Sequence, residues 1–461
     1  MIKNIFKVLI SNGVLMLLGL LNGFLFPILL SIEEFAYYQE YILYISYVNI
    51  CHLGIASGMF LNYAGHEYKE TDKAQYKSEI FLIYLVLGIF TLLGFILFYF
   101  FNSAMILCVV LTIFPQGLIA SFQALYQAWE RFTSYSVLNA LPKLLFTVLI
   151  ILSFFATRNV SGNYVVTAYL IIQWLAALYF MLEFRLFTKG SGCNNLFSKK
   201  NMEIGFHGFL ITLGNYVNLI FHSIDKQFVH ILFNTLSFAQ YSFAMSTQNV
   251  MTIFITALAN PFYPRLAKGD LDKNYISRLK RILFIFGAYS GCAYFGVSFC
   301  VKHFIIKYQD SLKVVAMFFT VFPAMAVIQV LYINLYKIRR IFKKYIFTLI
   351  GMTVLACVFN GLSVLVYGDY VSIAFATMIL YYVWLFYSQK DFDDIKIDKI
   401  DLLYLSGFYG IYFGLIQIKN DLVGFFTYGV VITIWNCCIY KDTVSYLLNV
   451  FGKKIRNGRR T

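Results

Sequence analysis

The chain has 461 residues, 60% hydrophobic and only 13% charged, where a soluble protein of this size would carry about 25% charged. With a mean hydropathy of +0.72, this composition excludes an ordinary soluble domain. The net charge of +15 is spread over short loops, which argues against a nucleic-acid-binding face and for the cationic loop bias of a membrane protein.

A helix needs roughly 20 apolar residues to cross a bilayer. Segments of that kind lie at 5–31, 36–64, 80–101, 104–128, 135–156, 164–187, 205–233, 238–263, 282–301, 314–336, 345–367, 370–388, 402–418 and 422–440. The fold class predicted from them is an all-α polytopic membrane protein with about 14 transmembrane helices. The first run is too long for a signal peptide and lacks a small-residue cleavage site. The 49 Phe and 36 Tyr suit lipid-facing surfaces and the two interfaces. The eight cysteines show no metal spacing and read as small apolar residues; no metal or cofactor is expected.

The loops alternate in charge. Thirty of the 37 Lys and Arg fall on one side and five on the other, with Lys143 and Lys226 inside spans. The positive-inside rule then puts both termini in the cytoplasm. A short internal repeat, Thr112-Ile113-Phe114-Pro115 and Thr320-Val321-Phe322-Pro323, sits in spans 4 and 10, six apart. It suggests two six-helix lobes related by a pseudo-two-fold axis along the membrane normal. The expected division is 1–190 (spans 1–6), 191–388 (spans 7–12), and 389–461, holding two additional spans and a basic tail. The charged linker 388–401 marks the last boundary.

Charge at bilayer depth is costly and normally faces a cavity or a partner. Lys143 lies about 12 Å of helix rise from the nearer end of span 5, and Asp225 and Lys226 lie in span 7. Sequence neighbours on a helix point apart, so Asp225 and Lys226 need partners elsewhere. Polar residues recur at helical spacing around them: Asn139, Lys143 and Thr147 in span 5; Asn215, Asn218, His222, Asp225, Lys226 and His230 in span 7; Ser242, Ser246, Asn249, Thr256 and Asn260 in span 8. Such stripes either line a cavity or hold helices together, and each His is either a satisfied core group or a substrate or proton site. Pro115, Pro142, Pro261 and Pro323 fall within or near span ends, where each can kink a helix. No paired catalytic carboxylates, metal cluster, phosphate loop or ATP motif occurs in the sequence. No catalytic residue is expected, and transport would draw on an ion gradient or the membrane potential.

Four stretches, 24–41 (FLFPILLSIEEFAYYQEY), 53–65 (LGIASGMFLNYAG), 126–145 (YQAWERFTSYSVLNALPKLL) and 224–244 (IDKQFVHILFNTLSFAQYSFA), resemble bacterial oligosaccharide flippases of the polysaccharide transporter family. That family lies within the superfamily of multidrug, oligosaccharidyl-lipid and polysaccharide exporters. The segment Asn260-Pro261-Phe262-Tyr263-Pro264-Arg265 is similar to the family's Pro-x-Tyr-Pro-basic ending. Span 1 departs from the pattern, with no basic residue beyond Lys7.

The resemblance implies alternating access through a cationic cavity. It implies an inner-membrane flippase carrying an undecaprenyl-pyrophosphate-linked oligosaccharide outward for O-antigen, capsule or exopolysaccharide synthesis. Expected partners are that substrate, membrane lipid, a coupling H+ or Na+, and a polysaccharide polymerase. Lys143, Lys226, Asn139, Asn218, His222 and Asn249 are the expected cavity residues, with Asp225 in ion coupling or gating. Two alternatives stand beside it: an ion-coupled multidrug or metabolite exporter of the same fold, and a membrane polysaccharide polymerase. The first would favour carboxylates in its cavity; the second would need a large outward loop, where the longest here is about 302–313.

Overall fold

The computed structural model describes residues 13, 17–19, 21–267, 273–392 and 395–458, giving for residues 69, 256–267, 273 and 450–458 the backbone course alone. All its regular elements are helices. They are α1 (Leu17–Leu29), α2 (Ile32–Val48), α3 (Ile55–Tyr63), α4 (Lys73–Phe101), α5 (Ala104–Ala128), α6 (Phe132–Thr157), α7 (Gly162–Phe187), α8 (Lys199–Leu232) and α9 (Thr235–Ala267). There follow α10 (Lys273–Ala288), α11 (Ser290–Phe304), α12 (Leu312–Phe319), α13 (Phe322–Val327), α14 (Ile333–Ile338), α15 (Phe342–Tyr367), α16 (Val371–Ser388), α17 (Lys399–Leu415), α18 (Asp421–Ile439) and α19 (Lys441–Gly458).

Among the described residues nine helices are long and apolar enough to cross a bilayer, and two bent pairs bring the number to eleven. Helices α9 and α17 coincide with two more of the expected spans. The span 5–31 runs partly outside the described residues. The protein is an all-α, multi-pass membrane protein.

Helix ends are set by local chemistry. Ser31, Asp72, Ser161 and Asn420 accept hydrogen bonds from the first free amides of α2, α4, α7 and α18. Asp398 and Asp401 form a reciprocal capping box at α17. Two expected spans break, 36–64 and 314–336. Residues 36–64 read as one helix, yet α2 and α3 are bent by 59°, because Leu53 and Gly54 adopt left-handed backbone, with φ of 46° and 80°. Pro115 and Pro142 are carried inside unbroken α5 and α6. Pro323 instead sits at the start of α13, just past a 47° bend. The residues of the repeat thus take different local forms.

The chain forms two compact units, residues 1–223 and 224–461, so the long α8 contributes to both. In the first unit, α5 packs against α4, α7, α3 and α2 around Ile80, Ile83, Leu118 and Leu125. The residues 199–223 of α8 lie against α3, with the two backbones in direct contact at Gly54, Gly58 and Gly208. A Cβ on Gly208 would strike Gly54 and Gly58, and one on Gly58 would strike Ile204. This is the small-residue crossing that lets membrane helices touch. Ser57–Thr212 at 2.8 Å and Tyr47–Ser223 at 2.8 Å follow it along α8.

In the second unit, α15 packs on α16, α10 on α13, α12 on α9 and α16, and α11 on α18. The two extra spans, α17 and α18, are held to this unit at several levels. Tyr412 and Tyr428 donate to the carbonyls of Ala316 and Ala288. Lys302 pairs with Asp421 at 2.7 Å. At the opposite end Lys280 of α10 pairs with Asp401 of α17, both almost wholly buried. Asp401 also accepts from Tyr440 at 2.8 Å, and Lys280 donates to the Lys396 carbonyl at 2.7 Å. Beside them Arg281 pairs with Asp398 at 2.7 Å.

Burial alone would raise the Asp398 carboxyl. The Asp401 amide and the Arg281 guanidinium outweigh it and hold the group below the ordinary carboxylate range. Its contribution to stability is full above the ordinary carboxylate value and lost as pH falls through the lowered one.

Removing one member of a buried pair strands the other, at a cost of about 3–5 kcal/mol. Asp401→Ala is therefore expected to lower the melting temperature of the purified protein sharply. The apolar double variant Lys280→Met/Asp401→Leu should recover most of the loss. Equal melting points for Asp401→Ala and wild type would refute this role for the pair.

Candidate functional site

Polar side chains at bilayer depth gather in two places, one in each unit. In residues 1–223 the track follows α6. The Gln123 amide of α5 donates to Asn139 Oδ1 at 2.7 Å. Thr147 lies two turns on, its one hydroxyl within hydrogen-bond reach of Asn22 Oδ1 of α1 at 2.9 Å and of the Lys143 carbonyl at 2.8 Å. Asn139, Lys143 and Thr147 recur at four-residue spacing, so they share a face. Lys143, between the two hydrogen-bonded residues, has an exposed side chain, and among the described residues its ammonium pairs with no carboxylate. Asn139 and Thr147 therefore hold α6 against α5 and α1, while Lys143 is left as the open cation of the track.

On α8, Asn218 and His222 are half-buried, and the His222 ring meets Phe221 edge-on at 5.3 Å between centroids. The α8 residues that bind α2 and α3 are Thr212, Tyr216 and Ser223, none of them among the expected site residues.

In residues 224–461 the centre is Asp225. It is 7% exposed, and both carboxylate oxygens are engaged. Oδ1 accepts from Asn360 Nδ2 of α15 at 2.9 Å, and Oδ2 accepts from Thr377 Oγ1 of α16 at 2.6 Å. Thr377 sits in turn on the Ile373 carbonyl at 3.0 Å. One carboxylate thus joins α8, α15 and α16 through neutral partners. Lys226, the next residue, is equally buried, and its ammonium lies 5.4 Å from the centre of the Phe238 ring of α9, a cation–π contact. Asn249 is exposed on α9, Ser246 bonds back to the Ser242 carbonyl, and the side chains of Thr256 and Asn260 lie outside the described ones.

The structure thus brings Asn139 and Lys143 onto one face and gives Asp225 a shell of its own. Asn360 and Thr377 were missed by sequence reasoning. Asn360 is the lone amide in a long apolar run, and the rule that singled out Asp225 could have found it. Thr377 carries no such signal, since threonine is common in membrane helices. Among the described residues no cluster of His, Cys, Asp and Glu has metal-binding geometry. The Asp225 surround is one carboxylate held by an amide N–H and a hydroxyl O–H, and the carboxylate oxygens are the groups that can take a proton or a hard cation.

Neither a family model nor a curated protein matches the sequence. Among solved structures the chain is similar to the lipid II flippase MurJ in an inward closed conformation, with a TM-score of 0.66 and 14% identity over 96% of this chain and 100% of that one.

Deleting a donor to a buried carboxylate costs about 1–3 kcal/mol. Asn360→Ala and Thr377→Val should each lower thermal stability, and Asp225→Asn combined with either should add little beyond its own effect. Full additivity of the paired substitutions, read by thermal melts, would show that the three side chains do not act as one unit. At this identity the likeness fixes the architecture alone: the chain has the fold of that flippase.

Proposed function

We propose that the protein is a flippase for a lipid-linked oligosaccharide, working by alternating access. The observation that carries this reading is the full-length likeness to a flippase whose named substrate, lipid II, belongs to the same chemical class. The chemistry of the chain agrees with it. A polyprenyl-pyrophosphate sugar has an anionic, strongly hydrated head that cannot cross hydrocarbon unaided. Lys143 and Lys226 supply cationic charge at bilayer depth, and a polyprenyl tail can stay in lipid.

On this reading Lys143 and Lys226 bind the pyrophosphate, with Asn139, Asn218, His222 and Asn249 toward the sugars. The substrate is an undecaprenyl-pyrophosphate-linked repeat unit for O-antigen, capsule or exopolysaccharide. The protein sits in the bacterial inner membrane with both termini cytoplasmic, beside a polymerase that consumes its product. Spans 1–6 and 7–12 act as the two lobes, with residues 389–461 buttressing the second. The protein acts as a transporter and forms no covalent intermediate.

Asp225 is the proposed coupling site. Its carboxylate repels pyrophosphate, so it serves the cycle by exchanging a proton or Na+ while Asn360 and Thr377 hold its position. Differential affinity for the ion in the two facing states is what would tie it to transport. This buried carboxylate also favours the second reading, an ion-coupled exporter of another solute on the same fold.

Export of polymer in cells, at matched protein abundance, tests the basic residue. Lys226→Ala should abolish or strongly impair it, and Lys226→Arg should partly restore it; wild-type polymer in the alanine variant refutes the assignment. In reconstituted vesicles with imposed gradients, Asp225→Asn should lose the dependence of flipping on pH, Na+ or potential. A variant that keeps that dependence shows Asp225 to be structural. Accumulation of the lipid-linked repeat unit on the inner leaflet after deletion separates the flippase from the exporter.

A further inference from the structure

Between α6 and α7, in residues 1–223, runs a groove of about 500 Å³. Its floor is hydrocarbon from Leu138, Leu141, Pro142, Leu145 and Ala176, and Leu175 and Tyr179 rise on the α7 side. Leu141, Leu175 and Tyr179 are 47%, 61% and 63% exposed, on two helices that qualify as membrane spans. What touches these side chains in a bilayer is lipid. From Arg131 to Leu145 the groove follows ~21 Å of helix, long enough to hold one acyl chain through the roughly 15 Å of a single leaflet and to reach its headgroup.

Its polar end distinguishes this groove from ordinary lipid-facing surface. Arg131, in the turn between α5 and α6, pairs with Glu183 near the end of α7 at 3.1 Å, and the two side chains remain 33% and 27% exposed. Both line the groove. The Arg131 guanidinium lies 4.5 and 5.0 Å from the ring centres of Tyr68 and Tyr126, and Tyr126 donates to Glu183. Each charged group has capacity left over. A guanidinium has five N–H donors and a carboxylate about four acceptor positions, and the contacts named use only part of either. The groove therefore ends in a rigid, half-open pair with spare cationic donors beside spare anionic acceptors, at the level where a span meets the headgroups.

We propose that this groove is a binding site for an ethanolamine phospholipid. One acyl chain lies along α6 and α7, the phosphate meets Arg131, and the primary ammonium meets Glu183. A headgroup that is purely anionic would leave the spare acceptors of Glu183 unmet and set a further negative charge beside a carboxylate that Arg131 already pairs. A choline headgroup has no N–H to donate to that carboxylate. This site is independent of the transport reading: it concerns resident lipid and is assayed without substrate.

The full-length protein in nanodiscs is photolysed with phospholipids of ethanolamine, glycerol or choline headgroup carrying a diazirine in one acyl chain, and the adducts are mapped by mass spectrometry. The expected result is concentration of ethanolamine-lipid adducts on peptides of α6 and α7, several-fold above the other two headgroups. Ala176→Trp, which fills the groove, should reduce those adducts several-fold and leave adducts on α15 unchanged. Glu183→Gln should keep the chain adducts and level the three headgroups, serving as the second variant if the tryptophan impairs folding. Adducts spread evenly over the lipid-facing helices would show ordinary surrounding lipid and overturn the site. Equal labelling by all three headgroups in the wild type would overturn the assignment of the head.

Discussion

A charge that leaves water must be solvated by whatever surrounds it, and in a bilayer only the protein can do so. Asp225, Asp401 and Asp421 each obey this constraint, and each fixes the place of several helices. Asp225 gathers α8, α15 and α16 through an amide and a hydroxyl. Asp401 gathers α10, α17 and the end of α18 through Lys280 and Tyr440. Asp421 ties the start of α18 to Ser298 and Lys302 of α11. The hydrophobic effect gives no preference for helix over lipid here, so these polar ties and close backbone contacts decide which helices are neighbours.

The three carboxylates differ in what they can do. Asp401 and Asp421 have cationic partners and lie near helix ends, where their ion pairs lock the structure. Among its resolved hydrogen bonds Asp225 has neutral partners, Asn360 and Thr377. A carboxylate solvated by neutral dipoles has charge to offer an incoming cation. That contrast, and not depth alone, separates the proposed coupling site from the structural pairs.

Much of the fold was legible in the sequence. The interval 104–128 coincides with α5, and each expected span from 36 onward has a helix or a bent pair at its place, because length and hydropathy are one-dimensional properties. The break at Leu53–Gly54 was not legible: a glycine is compatible with an unbroken membrane span, and this one is in backbone contact with Gly208, some 150 residues away. The candidate site was half legible for the same reason. Lys143, Asp225 and Lys226 stand out against apolar neighbours. That Asn139 is occupied by Gln123, or that Thr377 serves Asp225 while Thr353 bonds back to its own helix, depends on pairings between distant segments. The stretch 126–145, one of those that carry the family resemblance, contains Asn139 and Lys143 of the α6 polar track and also Arg131.

The glycine crossing of α3 and α8 carries one more consequence. Most packed helices mesh through rows of side chains, so that turning one against the other forces ridges over ridges. At Gly54, Gly58 and Gly208 no ridges exist to mesh. Two smooth cylinders in contact at a point cannot easily part or approach, yet they can swivel. The Ser57–Thr212 and Tyr47–Ser223 hydroxyl pairs lie farther along α8, the first to α3 and the second to α2, as light detents. The first stretch of α8 is thereby mounted on α3 as on a bearing, fixed in distance and comparatively free in angle.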